Sequence, residues 1–208
     1  IYTVPSSAAS DVYKRQVEDR RTKKGKEQAL EYEKQGITVI TPQDAALADN
    51  MLQSICNNPV AWELLDKGQS EQSFWWQHGS TGLDLKCRCD KINGDTVVDL
   101  KTTGEGGASP ESFTRTITNL NYHLQAAHYL QGTNCKKFVF VVIEKVFPFN
   151  IGVYTLGDEF LDLGYEIQEQ ALLKIFEANE SGKWLGYTDT EPNGIQTLEK
   201  PYWLGNYD

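Results

Sequence analysis

Residues 82–103 read GLDLKCRCDKINGDTVVDLKTT. Two runs of alternating apolar and polar residues flank Asn93-Gly94, and Asn-Gly between such runs is the strongest short-range signal for a β-hairpin. This stretch constrains the fold most tightly, because a hairpin fixes which residues of its two arms share a sheet face. With Asn93 and Gly94 as a two-residue turn, Ile92 faces Asp95, Asp90 faces Val97 and Arg88 faces Asp99. Lys86, Arg88, Asp90, Val97, Asp99 and Lys101 then line one face. Cys87, Cys89, Val98 and Leu100 line the other, which reads as the core side.

Asp99 and Lys101 sit two apart in VVDLKTT, a run otherwise composed like a buried strand. Burying a charge is costly unless it is paired or holds a metal. Asp90 and Asp99 fall on a diagonal of this hairpin, about 7–8 Å apart at Cα. Two carboxylates at that separation can lean onto one divalent cation, and hard oxygen ligands suit Mg²⁺ or Mn²⁺. A plainer arrangement uses the same residues: Arg88 neutralises Asp99, Asp90 pairs with Lys101, and such surface pairs contribute little. The hairpin alone leaves both arrangements open.

Around it, helices alternate with short strands. A charged helix over 17–35 ends at Gly36, and ITVIT follows. Thr41 and Pro42 open a helix with Ala45, Ala48, Leu52 and Ile55 on one face. A short helix ends at Gly68, and EQSFWWQ (71–77) is the strand before the hairpin. GEGGASPES reads as a glycine-rich loop and TNLNYHLQAAHYLQG as a helix. KKFVFVVIEK reads as a strand apolar on both faces, and FNIGVYTL as another strand. A long helix starts at Asp158, and the tail is aromatic and irregular. This is an α/β (α+β) pattern in a single domain over 17–208. Residues 1–16, IYTVPSSAASDVYKRQ, lack a signal peptide's apolar core and read like translated adapter sequence. The expectation is that the native chain has lost a segment upstream of residue 17.

The net charge of −9 does not advertise nucleic acid, yet a metal-dependent site needs carboxylates of its own. Lys14, Arg15, Arg20, Arg21, Lys23, Lys24 and Lys26 crowd near the start, as on a solvated helix surface. No run approaches the ~20 apolar residues of a membrane span, so no membrane partner is expected. Cys56, Cys87, Cys89 and Cys135 form no CxxC and have no histidine at zinc spacing. They read as reduced core residues, which suits the cytoplasm.

In NYHLQAAHYL, Gln125 and Tyr129 are four apart on one helix face, with Tyr122 three residues before Gln125. They border a stripe of Leu120, Leu124, Ala127 and Leu130. An amide and a phenol together can hold a phosphate oxygen or a strand end, although such a pair is more often a plain helix flank.

The order Glu71, Asp90, Asp99-x-Lys101, Gln125-x-x-x-Tyr129 is what makes the combination specific. Over roughly 17–204 the chain resembles the nuclease domain of the RecE-type exonucleases (exodeoxyribonuclease VIII), in the PD-(D/E)XK superfamily. The resemblance implies a restriction-endonuclease-like core with a mixed central sheet flanked by helices. It implies Asp90, Asp99 and the backbone carbonyl of Leu100 as metal ligands, for Mg²⁺ with Mn²⁺ as substitute. Lys101 would orient the attacking water or steady transition-state charge. Glu71 matches an upstream acidic position, and Gln125, Tyr129 and Tyr122 would support the site and the scissile end. The activity implied is 5′→3′ digestion of one strand at double-stranded DNA ends, leaving 3′ overhangs for recombination. Its partners would be a single-strand annealing protein and further copies of the chain in a tetrameric ring, in a bacterial host with a phage or prophage source. One departure stands out: the family carries a metal-binding histidine upstream of the first strand, whereas the histidines here are His78, His123 and His128. His78 reads as a turn residue and the other two as helix-surface residues. Two rival readings follow: a catalytically impaired DNA-end-binding scaffold of the same fold, and a RecB/Cas4-like nuclease. An iron–sulfur cluster is disfavoured because no cysteine follows Cys135.

Overall fold

The computed structural model describes residues 2–4, 15–16, 22–36, 39–189 and 194–201. In chain order these form β1 (Tyr2–Val4), β2 (Arg15–Gln16), α1 (Lys23–Lys34), β3 (Val39–Ile40), α2 (Pro42–Asn57) and α3 (Pro59–Asp66). There follow β4 (Gln69–Gln77), β5 (Asp84–Asn93), β6 (Thr96–Thr103), α4 (Pro110–Asn119), α5 (Tyr122–Thr133), β7 (Lys137–Glu144), β8 (Ile151–Thr155) and α6 (Asp158–Ser181). The expectation about residues 1–16, the pair Arg20 and Arg21, and the end of the aromatic tail lie largely outside the described residues.

Local chemistry sets the helix ends. Thr22 caps α1 by accepting from the Gly25 N–H, and the chain leaves α1 through Gly36 at φ +73°. Thr41 and Asp44 form a reciprocal capping box on α2 ahead of Pro42. Asn58-Pro59 starts α3, and Ser109-Pro110 starts α4, in a stretch that reads as loop from its glycines. Asn121, at φ 53°, breaks the chain between α4 and α5. Leu120 therefore sits exposed at the corner instead of in the α5 stripe, whose buried residues are His123, Ala126, Ala127 and Leu130. On α2, Met51 rather than Leu52 packs beside Ile55.

The main sheet has the order β1-β4-β5-β6-β7-β8, and β2 pairs with β3 separately. β4, β5 and β6 run as an antiparallel meander, β7 is parallel to β6, and β8 is antiparallel to β7. A parallel neighbour needs a crossover, and α4 with α5 supply it. Both sheet faces are covered. Val97, Phe138, Phe140 and Val142 pack with Phe113 and Ile117 of α4 and Ala126 and Leu130 of α5. Val98, Val141 and Ile143 pack on the other side with Ile55 of α2 and Ala61 of α3. This is why β7 is apolar at successive positions.

The chain divides into two compact units, Ile1–Gln168 and Glu169–Asp208, with the boundary inside α6. The second unit holds the end of α6 and an irregular tail on which Trp184, Leu185 and Tyr187 are exposed. No helix among the described residues is long and apolar enough to cross a membrane.

The hairpin forms with a different turn from the expected one. Asn93 pairs with Thr96 and Ile92 with Val97, so Gly94 and Asp95 are the turn residues. Gly94 has φ +62°, which suits the first central position of a two-residue turn that demands glycine there. Asn93 is instead a strand residue, because its amide donates to the carbonyls of Glu63 and Leu64 at the end of α3. Gly68 keeps that junction close: a Cβ there would fall 2.0 Å from the Ile92 carbonyl oxygen. The partner of Ile92 is thus Val97 rather than Asp95, a slide of two residues that preserves the faces near the turn.

Further along β5 the faces do change. Cys87 and Cys89 belong with Val97 in the cluster under α5, not with Val98, and Leu100 is 38% exposed rather than core. The rungs Ser70–Lys91 and Gln72–Cys89 flank a gap at Glu71 and Asp90, where Glu71 takes φ 55°. The alternation of β5 is interrupted at this gap, and the side chains of β5 that precede it point the other way. Lys86 and Arg88 consequently leave the face that they were expected to share with Asp99. Among the cysteines, Cys56 is exposed and Cys135 partly buried, which corrects the expectation of four core thiols.

Candidate active site

β6 carries Asp99 from the buried core to the surface of the sheet. Val97 and Val98 are fully buried and Asp99 is 2% exposed, while Lys101 reaches partly into solvent. Asp99 Oδ2 lies 2.7 Å from Lys101 Nζ. Its Oδ1 accepts from Gln125 Nε2 at 2.8 Å, and Lys101 Nζ donates to Gln125 Oε1 at 3.1 Å. The three side chains close a triangle in which the α5 amide holds the carboxylate with one end and the ammonium with the other. Lys101 Nζ also sits 4.5 Å from the centre of the Tyr122 ring. The Tyr129 ring meets Phe138 edge-on. The helix face Tyr122, Gln125, Tyr129 therefore addresses the strand pair Asp99, Lys101, as its spacing allows.

Asp90 completes the cluster from β5. Ladder pairing of β5 with β6 runs from Asn93–Thr96 to Lys91–Val98. Beyond that rung the Asp90 carboxylate takes over, with Oδ2 accepting from the Leu100 N–H at 3.0 Å. Continuation of the register sets Asp90 directly opposite Asp99 rather than on a diagonal. Burial pushes the Asp99 carboxyl above the usual carboxylate range; the Lys101 ammonium and the Gln125 amide oppose this, and the nearby Asp90 charge adds to it. Burial likewise pushes the Tyr129 phenol up.

The ion pairs of the plainer arrangement do not form. Arg88 binds Glu71, with Nε 2.6 Å from the carboxylate, and Lys101 pairs with Asp99 instead of Asp90. Glu71 lies next to Asp90 in register, but the guanidinium holds its carboxylate. Of the histidines, His78 is a turn residue bonded to Thr81. His128 reaches the Lys86 carbonyl and packs against Trp76. His123 is buried rather than on the helix surface, and neither ring nitrogen has a hydrogen-bond partner among the described residues.

The donor set fits a hard divalent cation. Asp99 Oδ2 is buried, has no hydrogen-bond partner among the described residues and lies 2.7 Å from the Lys101 ammonium, so the carboxylate already attracts a positive group. Asp90 adds a second carboxylate, and the Leu100 carbonyl belongs to the peptide unit between Asp99 and Lys101 in sequence. No group of three or more His, Cys, Asp or Glu side chains among the described residues could hold a metal, so backbone oxygen and solvent must supply the remaining ligands.

A mixed sheet covered by helices on both faces, with an Asp and an Asp-x-Lys at the fork of a hairpin, is the restriction-endonuclease-like PD-(D/E)XK fold. Residues 6–190 match the PDDEXK-like domain of unknown function DUF3799, and the chain belongs to that family. No curated protein matches the sequence. Among solved structures, the chain is similar to a "Putative exonuclease" from Eubacterium rectale, with 17% identity and a TM-score of 0.54 over 75% of this chain. It spans 62% of that protein. It is also similar to a "phage related exonuclease" from Haemophilus somnus 129PT, with 10% identity and a TM-score of 0.43 over 77% of this chain and 84% of that one.

Proposed function

We propose that this chain is the nuclease domain of a RecE-type, metal-dependent DNA exonuclease that digests duplex ends 5′→3′ and leaves 3′ overhangs for strand annealing. The observation that carries this reading is the Asp99–Lys101–Gln125 triangle beside Asp90. A buried carboxylate, a second carboxylate and a lysine brought together at a strand fork suit phosphodiester hydrolysis. The fold shared with the Eubacterium rectale "Putative exonuclease" adds support.

Asp90, Asp99 and the Leu100 carbonyl would hold Mg²⁺ or Mn²⁺. When bound, such an ion lowers the pKa of a water and neutralises non-bridging phosphate oxygens. Asp99, held by Gln125, keeps its oxygens in one orientation. Lys101 is a compact point charge that can donate to a phosphate oxygen or orient the attacking water. The ring-shaped homo-oligomer, the annealing partner and the cytoplasmic setting belong to the same proposal through the family resemblance.

The test is digestion of 5′-labelled duplex DNA with Mg²⁺ or Mn²⁺, with and without chelator. The reading expects metal-dependent nucleotide release that Asp99→Ala abolishes. Retardation of the duplex with no release would sink it in favour of an end-binding scaffold. One observation favours that second reading: no histidine among the described residues joins the site.

A further inference from the structure

We propose that Tyr122 is a positioning residue for Lys101, its ring face retaining the ammonium at the site once Asp99 is engaged by a cation; this rests on the nuclease reading. Among the described residues the ammonium meets Asp99 Oδ2 at 2.7 Å, Gln125 Oε1 at 3.1 Å and the Tyr122 ring at 4.5 Å. Asp99 is the residue that a divalent cation would claim, and that cation also repels the lysine. Gln125 is a neutral amide already shared with Asp99. The ring is the neighbour whose attraction is independent of the carboxylate, because its π-face is negative.

The ring is fixed in place. It stacks on Phe140 at 5.8 Å and 26°, and meets Phe113 at 6.2 Å. Phe113 in turn stacks on Tyr154 at 5.4 Å and 22°, and the Tyr154 hydroxyl donates to the Ala108 carbonyl. An aromatic column thus runs from the loop after β6 to the lysine, and its last ring cannot turn its face away. The Lys101 side chain is 21% exposed, and partial desolvation strengthens a cation–π contact.

The test uses the full chain with duplex DNA and Mg²⁺. Tyr122→Phe keeps kcat within about twofold, whereas Tyr122→Leu lowers it about tenfold with KM for DNA little changed. Mono-, di- and trifluorophenylalanine at position 122 keep the ring's size and drain its face of charge, so log kcat falls stepwise at constant Tm. A second readout needs no turnover: the ε-methylene protons of Lys101 resonate upfield from the ring current, with and without Ca²⁺, and lose that shift in Tyr122→Leu. Equal kcat across the fluorinated series, or no ring-current shift in the unmodified protein, overturns the inference. A ring-current shift that survives Ca²⁺ in a protein that releases no nucleotide supports the lysine contact and overturns the nuclease reading instead.

Discussion

The Asp90 carboxylate accepts the Leu100 N–H at 3.0 Å, at the position where the β5–β6 ladder stops. One side chain thus does two jobs: it closes a backbone hydrogen bond and brings a negative charge beside Asp99. The two jobs separate on substitution. Asp90→Asn keeps an acceptor for Leu100 and removes the charge, so its Tm stays within about 2 °C of the parent while nucleotide release drops by about 100-fold or more. Asp90→Ala loses both and costs a further ~1 kcal/mol, or about 2–4 °C in Tm. Thermal melts and the labelled-duplex assay together check this; an active Asp90→Asn variant would remove Asp90 from the metal ligands.

Gln125→Leu leaves a buried carboxylate oxygen without its donor and Lys101 without its amide acceptor. The expected loss is about 1–3 kcal/mol of stability, read from urea midpoints. Activity falls more steeply than stability, because the orientation of both Asp99 and Lys101 depends on this amide.

Asp99 carries a pH signature whose sign is opposite to that of an ordinary salt-bridged carboxylate. Burial raises its folded pKa above the unfolded value, so the folded chain holds the proton more tightly. In metal-free protein, stability attributable to Asp99 is therefore highest below the unfolded carboxylate pKa, near ~3.9. It falls as pH climbs through the raised folded value and is flat above. Asp99→Asn removes this slope, so the variant gains on the parent as pH rises through that window. Denaturant titrations in chelator at stepped pH read the difference. Added Mg²⁺ acts in the reverse direction, because it binds the ionised form.

Gly68→Ala places a methyl group 2.0 Å from the Ile92 carbonyl oxygen at φ +89°. Backbone must move, so the expected cost is about 3 kcal/mol or more. The change lies at the α3–β4 junction, and a loss of Tm there with DNA cleavage unchanged at low temperature would show that the junction supports the fold rather than the chemistry.

Much of this was legible in residues alone. The hairpin within 82–103, the two-sided apolarity of β7, the cap at Thr41 and the helix start at Asp158 are local properties, and they hold. The structure also brings Asp99, Lys101 and Gln125 together, a meeting that the family resemblance implied and the helix pattern alone left open. What escaped depended on contacts between elements. Asn93 is drawn out of the turn by α3 carbonyls, which no hairpin rule contains. The reversal of faces in β5 falls at Asp90, opposite the left-handed Glu71 of the neighbouring strand, and no glycine advertises it. His123 is buried against Phe160 and beside Gly164 at the start of α6, packing that its own helix pattern does not encode. The start of α4 was signalled by Ser109-Pro110-Glu111, but the preceding glycines obscured it.

Gly94 lies four residues from Asp90 and Asp95 four residues from Asp99, about 13 Å along an extended strand on each arm. The two turn residues contribute no chemistry, yet their number decides whether Asp90 and Asp99 meet. Exchanging either residue for another that tolerates the bend leaves both acids in place; adding or deleting one swings an acid to the far side of the sheet. The bend therefore tolerates a change of residue but not a change of length.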